Sequence, residues 1–289
     1  PEEIFCSDPQ AEPEFIKPYF GLRLFPVWHI GSNYLHEIAK AWYQYLLNKE
    51  VKFEWNTEVD DIDFNNNKIY THNTTLQYDS LIFAVGKSGI DFAQSLSNEY
   101  KLPTEPKSVQ IGVRFEAPQK YFQKLIDISY DFKLYQKYDN VSLRSFCTNN
   151  NAAYVAVEET YGDITYNGHA KKGEEFRNDM TNFGILMEIK GIDNPFEWSR
   201  DVVKKCQDRL IGTGLYYSPN RFRESSLTSE GNKVASSQAP DALEVFKEAM
   251  GEYADYILNF IDQMNKVFEF GDDWGMYIPE VKYLSPEPL

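Results

Sequence analysis

With 289 residues, 42% of them hydrophobic and 16% aromatic, the chain has enough apolar surface for a substantial core and a length that fits about two domains. Its 29 basic and 44 acidic side chains leave a formal charge of -15, which repels a phosphate backbone or an anionic membrane face and argues against nucleic acid as a partner. No apolar run approaches the roughly 20 residues that span a bilayer, and no basic segment followed by a hydrophobic one opens the chain, so a cytoplasmic protein without a membrane association is expected.

The chain opens on residues 1–32, which carry five prolines and no sustained period and so predict an irregular leader. From Ser32 the pattern becomes helical. Leu35, Ile38, Ala39, Trp42, Leu46 and Leu47 fall on one face, with Ser32 or Asn33 available as the cap. Short alternating segments follow: VKFEW, then EVDDIDF, KIYTH and LQY, which read as one strand and a three-stranded meander. Leu81 to Val85 form a continuous apolar run, the pattern of a strand buried on both faces, and Gly86 and Gly89 end it.

Beyond Ser95, SVQIGVRFE predicts a strand, QKYFQKLIDI a helix, and SLRSFCT and AAYVAVEET two further strands. Asn194, Pro195 and Glu197 have the spacing of a capping box, opening a helix whose apolar face uses Val202, Val203, Cys206 and Leu210. A longer helix of about six turns is predicted from Asp241 through Met264. EVKYL alternates like a strand. Cys6, Cys147 and Cys206 have neither CxxC spacing nor an even count, so reduced thiols are expected, with no disulfide framework and no metal site.

A strand that ends in small residues and glycine lets backbone approach a cofactor closely, because a Cβ at the glycine would collide with it. The order helix, strand, meander and strand ending in AVG is the arrangement in which that feature serves a flavin. Backbone at Val59, at the start of the meander, is placed to meet an adenine edge. Among polar candidates, Arg114 and Arg144 could each grip a substrate carboxylate bidentately, or could serve as salt-bridged or surface arginines. His169, between Gly168 and Ala170, could act as acid or base beside a flavin or be an ordinary loop histidine. His29 at a helix start could receive an anion or simply bond a neighbouring carbonyl. FEFGDDWG at 268–275 has the look of a strand ended by GD, but it follows a helical period and precedes PEVKY.

The stretches WHIGSNYLHEIAKAW, EVDDI, YDSLIFAVGKSGIDF, IGVRFEAPQ, LRSFC, NGHA and MYIPEVKYLSP occur in an order that resembles the uncharacterised FAD-dependent dehydrogenases described as NAD(FAD)-utilising, over roughly residues 27–289. That resemblance implies FAD as the cofactor, NAD(P)H as a possible electron donor and a small-molecule substrate. It places Val59 on the adenine side, Ala84, Val85 and Gly86 against the dinucleotide, and Lys87, Ser88 and Gly89 in the loop after it. The family's GxGxxG and its GD-ended strand have no counterpart between Pro1 and Leu289.

The expected fold is therefore α/β plus α+β: a partial FAD/NAD(P)-binding Rossmann-like domain with a large inserted mixed domain. The expected boundaries are 1–32 for the leader, 33–95 for the partial FAD-binding domain, 96–270 for the inserted substrate or cap domain, and 271–289 for a return segment to the first. The full-length protein is expected to bind FAD non-covalently, and this fragment to hold none and to lack activity, because the pyrophosphate site is missing. Two other readings stand beside it: a non-catalytic interaction module, and a flavoprotein that reduces a C=C bond of an organic acid.

Overall fold

The computed structural model describes residues 13–25, 29–105, 108–160, 162–208, 215–219, 241–282 and 287–288. In chain order the elements are β1 (Gly21–Phe25), α1 (Leu35–Asn48), β2 (Val59–Asp63), β3 (Lys68–Thr71), β4 (Thr75–Gln77), α2 (Ile90–Tyr100), β5 (Thr104–Glu105), β6 (Val109–Pro118) and α3 (Gln123–Ile126). There follow β7 (Asp131–Lys137), β8 (Val141–Asn151), β9 (Ala153–Thr160), β10 (Asp163–Ala170), β11 (Met180–Ile189), α4 (Pro195–Gln207), β12 (Leu215–Tyr217), α5 (Ala242–Met250), α6 (Ala254–Phe268), β13 (Gly275–Lys282) and β14 (Glu287–Pro288).

The chain divides into two compact units, one from Pro1–Tyr34 with Lys107–Leu284, the other from Leu35–Pro106 with Ser285–Leu289. The larger is built on a seven-stranded sheet in the order β1-β7-β8-β11-β6-β13-β12, every pairing antiparallel. Alternation fixes its two faces. Ile111, Val113 and Phe115 of β6 point to one side with Phe183, Ile185 and Met187 of β11, and all six are buried. Helices α4 to α6 cover that side, contributing Val202, Val203, Phe246, Ile257, Phe260 and Met264 to the same core. The opposite face is polar, and the β9–β10 hairpin, closed at Gly162 with φ +78, packs over part of it.

The smaller unit is thinner. Its antiparallel meander β2-β3-β4 and helix α2 bury Ile62, Ile90 and Leu96, and Phe64 meets Tyr100 edge to face at 4.8 Å. Helix α1 forms as its apolar period predicts, but none of its residues is buried, and Trp42 is 62% exposed. A periodic stripe specifies where a cover would lie and not that one is present.

Several expectations need correction. The leader is not irregular throughout, since β1 joins the large sheet beside β7 in register Gly21↔Tyr135. Of the segment after 270, β13 stays in that sheet between β6 and β12, whereas β14 pairs with β5 in the smaller unit. Residues 51–55 form no strand; Phe53 and Trp55 instead stack at 5.5 Å, with Tyr43 against both. Leu81 to Val85 form no strand, and Ile82 is 90% exposed, because a doubly covered strand needs neighbours that the described residues do not supply. The long helix after Asp241 is two helices, since Gly251 at φ +57 and ψ -136 leaves helical geometry between α5 and α6. Asn194 is left-handed at φ 60 and ψ 64 and its side chain caps nothing, so Pro195 begins α4 without the capping box. Leu210 lies outside the described residues.

Candidate functional site

The polar face of the large sheet gathers most of the chemistry in the chain. Strand alternation sends Arg114 and Glu116 of β6, Asn182 of β11, and Tyr277 and Glu280 of β13 to that side, all fully buried or nearly so. Unpaired buried charge is costly, so their partners decide what they can do. The Arg114 guanidinium donates from Nε to Asn182 Oδ1 at 3.0 Å and from Nη2 to the same oxygen at 2.7 Å. Nη2 also donates to the Cys147 carbonyl at 2.7 Å, while Nη1 lies 3.4 Å from the Glu280 carboxylate. Lys282 Nζ approaches Glu280 at 3.3 Å, and the Tyr277 hydroxyl donates to Glu116 at 3.4 Å.

Arg114 is thus an organising residue with its donors committed, and it has no open path to a substrate carboxylate. The sequence read its type and strand but not its burial. What it organises is local backbone. Cys147 takes φ 48 where the β8–β11 register shifts by a residue, and the guanidinium holds its carbonyl there. Gly168 of β10 faces the same group, with an ideal Cβ only 1.7 Å from Arg114 Nη2. The glycine of NGHA is therefore required by an arginine that lies more than fifty positions earlier.

His169 sits at the rim of this cluster, half-buried, with Nδ1 3.2 Å from Ser32 Oγ. Burial holds its pKa below the usual 6.5, with Arg114 and Lys171 adding to the shift and Glu158 opposing it. The ring is neutral at pH 7 and can accept a proton. The contact is equally a strut, because Asn33 exchanges two hydrogen bonds with the Lys172 backbone next to it, at 3.0 and 2.9 Å. His29 lies 5.0 Å from the Tyr130 ring, its pKa lowered by burial and then by Lys172. It receives no helix N-terminus, since residues 32–34 form a 3-10 turn before α1.

Arg144 lies on the open part of the same face, exposed, donating to Gln110 Oε1 at 3.1 Å and resting on the Phe146 ring at 5.2 Å. Of the polar candidates, Arg114 and His169 are brought together and Arg144 stands apart from them. The buried Glu116, Asn182 and Glu280 went unread, since single acidic or amide residues in alternating strands carry no local mark of burial.

The cofactor candidates fall in the smaller unit. Gly86 ends the apolar run at φ +67 and ψ -168, a conformation essentially restricted to glycine, and nothing lies within 4 Å of the position its Cβ would take. Lys87, Ser88 and Gly89 make one 3-10 turn, and α2 starts at Ile90. Gly89 is close-packed, its ideal Cβ 2.3 Å from Val85 Cβ. Ala84 and Val85 are exposed beside them. Val59 opens β2, the outer strand of the meander, and is also exposed. The decoy at 268–275 is the end of α6, a turn and the first residue of β13. Among the described residues no cluster of His, Cys, Asp and Glu could hold a metal, and no helix is long and apolar enough to cross a membrane. No protein-family model matches the chain, and comparison with curated proteins finds no match.

Proposed function

We propose that the chain is part of an FAD-dependent oxidoreductase, with the smaller unit contributing one segment of the flavin-binding domain and the larger unit serving the substrate side. The observation that carries this reading is Gly86: a glycine-only backbone conformation between an exposed apolar segment and the start of α2, with open space over its α-carbon. Dinucleotides lie where an extended segment turns into a helix, since backbone can approach there and the helix start favours phosphate. The resemblance drawn from YDSLIFAVGKSGIDF points to the same residues.

When bound, the flavin supplies the two-electron chemistry. The chain's own residues would position it. Gly86 admits backbone contact, Ala84 and Val85 offer an apolar wall, and Val59 presents main-chain groups from an outer strand. His169, neutral at pH 7, is a residue of the polar face able to take a proton.

Purified full-length protein is expected to be yellow, and acid precipitation to release the flavin into the supernatant. Gly86→Val should lower flavin occupancy about tenfold or more while the larger unit keeps its melting transition, because the change strains one turn only. A colourless full-length protein, or equal flavin occupancy in wild type and Gly86→Val, would overturn the proposal.

A further inference from the structure

The part of the polar face over β1, β7 and β8 is open, and there a cavity of about 210 Å³ is lined by four cations, Arg23, Lys133, Lys137 and Arg144, against one carboxylate, Glu188. That balance runs opposite to the charge of -15 of the whole chain. Lys133 is paired with Asp131 at 2.6 Å. Arg23, Lys137 and Arg144 have no carboxylate within ion-pair distance among the described residues. Like charges on adjacent strands repel, so gathering them without neutralising them leaves a positive patch that a bound anion would stabilise.

The register gives the spacing. Arg23 stands opposite Lys133, and Arg144 opposite Tyr135, with Lys137 two positions further along β7. The cations therefore extend over roughly 14 Å of strand, with Arg144 near the middle. A single small anion would meet one or two of them; two linked phosphates, with the reach of arginine and lysine side chains, can engage the set. The guanidiniums are already oriented, Arg23 over the Tyr135 ring at 5.3 Å and Arg144 over Phe146 at 5.2 Å. Arg144 spends one Nη2 N–H on Gln110 Oε1, and its remaining N–H groups, with those of Arg23, are left for phosphate oxygens.

We propose that this cleft binds a diphosphate group, either free or carried on a nucleotide. It is separate from the flavin site argued above, because every residue that lines it belongs to the larger unit. Glu188, which accepts a hydrogen bond from Ser108, is the one anionic acceptor in the lining. It repels a bare phosphate and can accept from a sugar hydroxyl, so the two sources should differ in affinity.

Calorimetric titration of the protein with sodium pyrophosphate and, separately, with ADP tests the proposal. One equivalent should bind with a Kd of about 100 µM or tighter at low salt, weakening as added salt screens the cations. Arg144→Ala should weaken binding about tenfold or more, with Arg144→Lys intermediate because it keeps the charge and loses the fork. The melting transition should not move, since the side chain is exposed. Tighter binding of ADP assigns a nucleotide, and equal binding a free diphosphate. Gly86→Val should leave the titration unchanged, which separates this site from the flavin reading. No saturable heat from either ligand at millimolar concentration, or unchanged affinity in an Arg23→Ala, Arg144→Ala double variant, would overturn it.

Discussion

Replacing Gly168 by alanine adds one methyl group at the most tightly specified point of the polar face. The new Cβ would lie 1.7 Å from Arg114 Nη2, 2.2 Å from Cζ and 2.3 Å from Asn149 Nδ2. The far end of an arginine ordinarily swings aside at little cost. Here it is tied to the Cys147 carbonyl and to Asn182 Oδ1, and Asn149 Nδ2 donates to that same oxygen at 3.0 Å. Relief of the overlap therefore has to break at least one charge-assisted hydrogen bond. Overpacking of about 1–3 kcal/mol adds to about 1.5–3 kcal/mol for the bond, giving about 2.5–6 kcal/mol in all. For a domain this size the lower figure corresponds to a fall in Tm of at least about 5 °C. Scanning calorimetry and urea unfolding would measure it, with Gly162→Ala as the control. That hairpin glycine has open space around it, and its φ of +78 makes the substitution cost about 1–2 kcal/mol through backbone strain alone. If Gly168→Ala loses no more stability than Gly162→Ala, the guanidinium is not fixed as argued.

Two further outcomes follow from buried titratable groups. His169 has a folded-state pKa below 6.5, so its contribution to stability is present above that value. It is lost as pH falls from 6.5 towards the folded value, while the unfolded chain takes up the proton first. His169→Gln should flatten the stability profile as pH falls through and below 6.5, and an unchanged slope in urea titrations would count against the assignment. Burial pushes the Cys206 thiol up to about 12, whereas Cys147 is open to solvent with its pKa raised more modestly. In a Cys6→Ser background, a thiol reagent should therefore add one adduct to native protein and two in denaturant, as read by mass spectrometry. Two adducts under native conditions would contradict the burial of Cys206.

The sequence was most legible where one period ran without interruption. SVQIGVRFE, AAYVAVEET and the meander alternate in type along their length, and they form strands β6, β9 and β2 to β4. Helix α1 was legible as a helix, while its lack of cover was not, since a stripe of Leu35 and Trp42 reads the same with or without a neighbour. The run from Leu81 to Val85 misled for a related reason: composition reports what a segment could bury, and pairing depends on strands elsewhere. In the polar cluster, Arg114 meets partners on β8, β11 and β13, so no local window contains its environment. The open cleft was hidden likewise. Arg23, Lys133 and Arg144 come from three strands, and only their register reveals that they share a face.

The pairing of β1 with β7 carries a kinetic consequence. Phe25 stands opposite Asp131, so that edge of the sheet closes a loop of 105 residues, and the stretch Leu35–Pro106 within it belongs to the other unit. Chain that has already become compact no longer counts as flexible loop. If the smaller unit folds first, only about a third of the loop stays flexible, and the entropic cost of closure drops by about 1 kcal/mol. Formation of the β1 edge, and with it the Arg23 end of the cleft, is then timed by a part of the chain that the sheet does not contain.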